Sequence, residues 1–184
     1  MTTIQRIRVP VGFAYTVLYL WAVQPKPVWY GLAVLLAAGG LVLRIWAAGY
    51  LQKFESLTIL GPYYWSQNPL YFGSFLIGLG FTVAGGQLWL IAIFLSVFLA
   101  IYLPVIEQEE RELSRAYPDQ YDVYRQCTFR FFPGLPKKNV RVLWPLNSGD
   151  KEFSWKRVVK NREHRGVVGF LLVAIVVFVK MQLS

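Results

Sequence analysis

Five apolar runs, each roughly the length of a bilayer-crossing helix, are separated by polar or helix-breaking stretches along these 184 residues, and they leave the chain few folds to choose from. They cover about residues 9–24, 28–50, 69–84, 87–106 and 166–180. Backbone in lipid must satisfy its own hydrogen bonds, so runs of this kind become helices. Charged residues supply only 16% of the chain, against roughly 25% in soluble domains. The expected fold is therefore all-α: a polytopic transmembrane bundle of about five spans forming one integral membrane domain over residues 1–184, with a cytoplasmic helical segment after the fourth span. Residues 28–50 and 87–106 are long enough to cross outright. The other three are short for a hydrocarbon core about 30 Å thick and need snorkelling flanks or local thinning. Pro25-Lys26-Pro27 and Gly85-Gly86 close the two hairpins. The start, with Arg6 and Arg8 before an apolar run, imitates a signal peptide, yet no small-residue cleavage site follows and a retained helix is expected.

Orientation follows from the cations near the span ends. Arg6 and Arg8 precede the first span, Lys26 lies in the first loop, Arg44 and Lys53 flank the second, the Gly-Gly turn has none, and 13 fall between Glu107 and Arg165. This distribution puts the N-terminus, the second loop and the long segment in the cytoplasm, and the C-terminus, after Lys180, outside. The net charge of +9 borders apolar spans, a pattern suited to anionic lipid headgroups rather than to nucleic acid. Trp144, Trp155 and the cations Lys151, Lys156, Arg157, Lys160, Arg162 and Arg165 look like a segment lying along the interface. One cysteine, Cys127, and one histidine, His164, allow no disulfide and give too few soft ligands for a metal site. Apart from Lys180 at the very end of the last span, Arg44 is the one charge inside a span, close enough to its cytoplasmic end to be read as snorkelling.

Polar chemistry gathers in two patches, residues 57–73 and 104–133. In the first, Asn68-Pro69 is a good helix start, with Asn as cap and Pro at the first helical position, and the positive end of that helix suits a carboxylate or phosphate. The aromatic residues beside it are either an interfacial belt or a wall for a cationic ligand. The second patch opens with Glu107-Gln108-Glu109-Glu110-Arg111-Glu112. On a continuing helix Glu107 reaches Arg111 and Glu112 reaches Arg115, while Glu109 and Glu110 have no helical partner. Tyr117, Tyr121 and Tyr124 share one helical face, and Arg130 follows among aromatics, able to pair with Glu109 or Glu110 or to grip an anionic substrate group.

Taken in order, Gly61-Pro62-Tyr63, Asn68-Pro69-Leu70-Tyr71-Phe72-Gly73, a tight hairpin, Glu109-Glu110-x-x-Leu113, Tyr121-x-x-Tyr124 and Arg130-Phe131-x-Pro133 resemble the isoprenylcysteine carboxyl methyltransferase and phospholipid methyltransferase superfamily of membrane enzymes. The resemblance covers roughly residues 57–133. Two positions depart from the family pattern: Gln67-Asn68-Pro69 stands where Arg-His-Pro is frequent, and Tyr64 stands where an Arg is common. What the resemblance implies is methyl transfer from S-adenosylmethionine to a lipid-borne acceptor, a prenylcysteine-type carboxylate or a phospholipid amine. It implies a cytoplasmic cofactor site of Tyr63, Asn68, Pro69, Leu70, Tyr71, Glu109 and Glu110, with Arg130 and Glu110 at the reacting end and no metal. Two other classes remain open on sequence grounds, an NADPH-dependent reductase of the sterol reductase type and a non-catalytic membrane scaffold.

Overall fold

The computed structural model describes residues 3–52, 56–135 and 152–183, with side chains from residue 10 onward. Lys53, Trp144 and Lys151 of the sequence reading lie outside the described residues, as do the side chains of Arg6 and Arg8. The described residues form α1 (Thr3–Ala22), α2 (Pro27–Tyr50), a 3-10 turn (Gly61–Tyr64), α3 (Pro69–Ala84), α4 (Leu88–Ala116), α5 (Pro118–Cys127), α6 (Trp155–Lys160) and α7 (Glu163–Leu183). Among the described residues three helices, α2, α4 and α7, are long and apolar enough to cross a membrane, and α3 and residues 10–22 of α1 are shorter apolar helices. The chain is thus an all-helical integral membrane protein. The last helix is longer than its apolar run because it begins at Glu163, whose charge is neutralised by an arginine, so 21 residues are available to span.

Packing divides the chain into two compact units. One comprises residues 1–41, 74–106 and 165–184. Its core is built on Tyr19, Ala33, Ala37, Phe81, Leu90 and Val177. Gly80 lets α3 approach the α2 backbone, since a Cβ there would stand 2.6 Å from the Ala33 carbonyl oxygen and 2.8 Å from the Ala37 nitrogen; small residues serve close helix contact in lipid, where burial of apolar surface gives no drive. Several polar groups in this unit find partners inside it. Tyr30 donates to the Ala174 carbonyl (3.1 Å), Tyr15 and Thr82 share a hydrogen bond (2.9 Å), and Lys180 Nζ donates to the carbonyls of Leu20 (2.9 Å) and Val23 (2.9 Å) where α1 ends.

The other unit comprises residues 42–73 and 107–164. Leu57, Ile59, Tyr121, Tyr124 and Cys127 form its core, so the tyrosine face of α5 is a packing face. The last carbonyls of α2, which have no partner within the helix, are met by α6 and the residues around it: Arg157 Nε (2.7 Å) and the Ser154 amide (3.0 Å) donate to Gly49, and Asn161 Nδ2 to Ala48 (3.0 Å). Gly61 begins the 3-10 turn at φ +60°, with the Tyr50 ring 2.5 Å from where a Cβ would sit, so both backbone and space require glycine there.

Candidate active site

Residues 65–68 run beside residues 128–134 and are laced to them. The Gln67 amide donates to the Phe129 carbonyl (2.8 Å), Ser66 Oγ to Phe131 (2.8 Å), Gln67 Nε2 to Thr128 (3.0 Å), and the Gly134 amide to Trp65 (3.3 Å). Asn68 Nδ2 donates to the carbonyl of Arg130 (2.8 Å). The asparagine therefore spends its amide on fixing the arginine's backbone, while Pro69 takes the first position of α3 as expected. Tyr124, buried on α5, donates to the Tyr63 carbonyl (2.7 Å) and ties the 3-10 turn to the same assembly.

Both carboxylates that lack helical partners find tertiary ones. Tyr71 donates its hydroxyl to Glu109 Oε1 at 2.6 Å, the short distance of a charge-assisted bond. Arg130 grips Glu110 with two nitrogens, Nε to Oε1 (2.7 Å) and Nη2 to Oε2 (3.0 Å). Of the two roles open to Arg130, pairing within the protein is the one adopted here. Hydrogen bonding to Glu110 raises its already high pKa, against a smaller opposing effect of burial. Glu107 meets Arg111 at 4.0 Å as the helical spacing predicts. Glu112 does not pair with Arg115 but accepts from Gln108 Nε2 (2.8 Å), four residues back on the same helix.

Burial pushes the Tyr63 hydroxyl well above its usual pKa; Glu109 and Glu163 add to this and Arg44 opposes it, so all three charges lie within its electrostatic reach. Tyr121 is pushed up to about 12, by burial first and then by Glu110. Its hydroxyl is buried without a hydrogen-bond partner among the described residues, and so is Gln67 Oε1. A cavity of about 340 Å³ is lined by Gln67, Glu110, Arg125, Thr128 and Arg130. A larger hollow of about 610 Å³ lies along α1, lined by Phe13, Ala14, Val17, Leu18 and Trp21, and these side chains carry no charged group to orient a ligand.

The sequence-predicted residues Tyr63, Asn68, Pro69, Leu70, Tyr71, Glu109, Glu110 and Arg130 thus fall in one packed unit, joined through the Tyr71–Glu109, Asn68–Arg130 and Arg130–Glu110 contacts. A model of the phospholipid methyltransferase family matches residues 28–120, half of the chain. The chain belongs to that family. Among curated proteins, it is 35% identical over 94 residues to the nickel-cobalt-cadmium resistance protein NccN of Alcaligenes xylosoxydans xylosoxydans, covering 50% of this chain and 44% of that protein. It is 31% identical over 106 residues to the cobalt-zinc-cadmium resistance protein CzcN of Cupriavidus metallidurans, covering 56% of this chain and 49% of that protein. The chain spans about half the length of these relatives. No solved structure matches it.

Arg44 is the correction. Rather than snorkelling, it places Nε 3.0 Å and Nη2 2.7 Å from the two oxygens of Glu163, and Nη1 3.3 Å from the Leu70 carbonyl. A partner that neutralises the guanidinium removes the need to reach water. The available signal was a coincidence of two oddities, one cation inside a span and one acid, Glu163, within a run of cations beside another span. Arg125 and Thr128, which help line the polar cavity, were also missed; no motif in the sequence singles them out.

Proposed function

We propose that this phospholipid methyltransferase family member is an integral membrane enzyme that transfers a methyl group from S-adenosylmethionine to a lipid-like acceptor at its cytoplasmic side. The observation that carries this reading is the lacing of residues 65–68 to 128–134, which gathers Tyr71, Glu109, Glu110 and Arg130 in one unit where α4 passes from apolar to charged sequence. The cofactor suits the donors present. Its ammonium and ribose hydroxyls need anionic acceptors, supplied by Glu109 and Glu110; its carboxylate suits the positive end of α3; and Gln67 Oε1, buried without a partner, is an acceptor left for a bound donor.

S-adenosylmethionine supplies an electrophilic methyl on sulfonium: the acceptor–carbon bond forms, the carbon–sulfur bond breaks, and its electron pair leaves with S-adenosylhomocysteine. The chain's own work is placement, which can supply much of the rate of a two-reactant step. Tyr71 orients Glu109, Asn68 fixes the backbone of Arg130, and Arg130 presents a planar fork that an anionic acceptor group can share or take from Glu110. A carboxylate acceptor needs no base. An amine acceptor must lose a proton, for which Glu110 is the carboxylate at hand. The relatives' names speak of metal resistance; a part for this chain in such a process would run through modification of a membrane component, since the site assembled here presents carboxylate, phenol and guanidinium groups and its one cysteine is packed against the α5 tyrosines.

The test is thermal unfolding of the detergent-purified protein with S-adenosylmethionine, S-adenosylhomocysteine or NADPH. Saturating S-adenosyl ligand at a hundred times its dissociation constant should stabilise the native state by about 2.7 kcal/mol. A shift with NADPH and none with either S-adenosyl compound would replace this reading by the reductase.

A further inference from the structure

Arg44 and Glu163 come from opposite ends of the chain, 119 residues apart, and meet with side-chain exposures of 24% and 4%. Glu163 is the first residue of α7, where a carboxylate also faces the positive end of its own helix. The guanidinium is planar and its nitrogens point in fixed directions. With Nε and Nη2 locked onto Glu163, Nη1 can meet the Leu70 carbonyl only if the first turn of α3 sits at one place. That turn carries Leu70 and Tyr71.

A buried ion pair is a poor way to gain stability, because desolvating two charges costs about as much as their attraction returns, and an apolar pair of similar volume often serves as well. What the apolar pair cannot supply is direction. From this we infer that Arg44 and Glu163 are positioning residues for cofactor binding: Glu163 orients the guanidinium, and the guanidinium holds the Leu70 carbonyl so that the first turn of α3 presents Tyr71 to Glu109. The inference rests on the cofactor reading of Tyr63, Leu70, Tyr71 and Glu109 given above. It makes the C-terminal segment part of the site, although Glu163 lies beyond the residues 28–120 that match the family.

The experiment compares wild type with R44M/E163L, R44K and E163Q, all in detergent, by ligand-free melting temperature and by calorimetric titration with S-adenosylhomocysteine. R44M/E163L should melt within a few degrees of wild type and bind the ligand at least about tenfold more weakly. R44K keeps a charge for Glu163 but cannot hold both oxygens and the Leu70 carbonyl, so it should also bind more weakly, with KM for S-adenosylmethionine raised and turnover at saturation nearly unchanged. Wild-type affinity in a folded R44M/E163L overturns the inference and leaves the pair a structural staple. Should that double variant fail to fold, wild-type affinity and KM in R44K overturn it equally. A wild-type protein that binds no S-adenosyl ligand removes the cofactor reading itself, an outcome distinct from variants that bind as wild type does.

Discussion

Replacing Glu109 by Gln separates a binding carboxylate from a solvated one, because the four acids of the α4 exit differ sharply in what they touch. Glu107 lies 4.0 Å from Arg111, with both side chains more than half exposed. Such a pair contributes at most a few tenths of a kcal/mol, and E107Q should change neither melting nor ligand affinity measurably. Glu112 accepts from a neutral amide of its own helix, and E112Q should behave the same way. Glu109 is different: it accepts the Tyr71 hydroxyl at 2.6 Å within the laced unit. E109Q keeps an acceptor oxygen for Tyr71 but removes the charge. If Glu109 also receives a hydroxyl or ammonium of the cofactor, the loss is one charge-assisted hydrogen bond of about 1.5–3 kcal/mol, which is tenfold or more in affinity. E110Q should show a similar fall in affinity, together with a small loss of stability from unpairing the half-exposed Arg130. The assay is calorimetric titration of S-adenosylhomocysteine into wild type and the four Glu→Gln variants. Equal affinity in all five would show that the acidic run is a solvated helix surface and that the site assignment is wrong.

Arg130→Lys should leave S-adenosylhomocysteine affinity nearly intact while lowering turnover, since a lysine cannot reproduce the two-nitrogen fork now on Glu110; a large loss of cofactor affinity would place Arg130 on the cofactor instead. Alkaline stability should reflect the buried phenol of Tyr121, which the fold keeps protonated. An unfolded phenol loses its proton near pH 10 and the folded one near 12, so its contribution is fully present below pH 10 and disappears between about pH 10 and 12. Melting temperature followed across that window should fall less steeply in Tyr121→Phe, and identical profiles would contradict the assignment. Orientation is tested by fusing reporters active only outside the cytoplasm after Ser184 and at Gly85-Gly86, where activity is expected at both; a cytoplasm-only reporter active after Ser184 would reverse the placement of the C-terminal end of α7.

The apolar helices and the breaks between them were legible in the sequence because hydropathy and helix-breaking are local properties. A run such as residues 28–50 must become a helix in lipid whatever surrounds it, and α2 does. Pro69 at the start of α3 and the Glu107–Arg111 pair were legible for the same reason, each depending on neighbours within one turn. The motif order around one hairpin named the candidate residues through their resemblance to a family. It did not say which touches which. Glu109 and Glu110 are adjacent in sequence and chemically identical, yet one takes a phenol from α3 and the other a guanidinium from beyond α5. That division depends on where the lacing of residues 65–68 to 128–134 sets each side chain. Arg44 makes the point most plainly: its span was evident from local hydropathy, but its partner stands 119 residues away. Nothing within a helical turn of either residue distinguishes a snorkelling cation from a buried ion pair, because the energy that decides between them comes from a contact that exists only once the chain has folded.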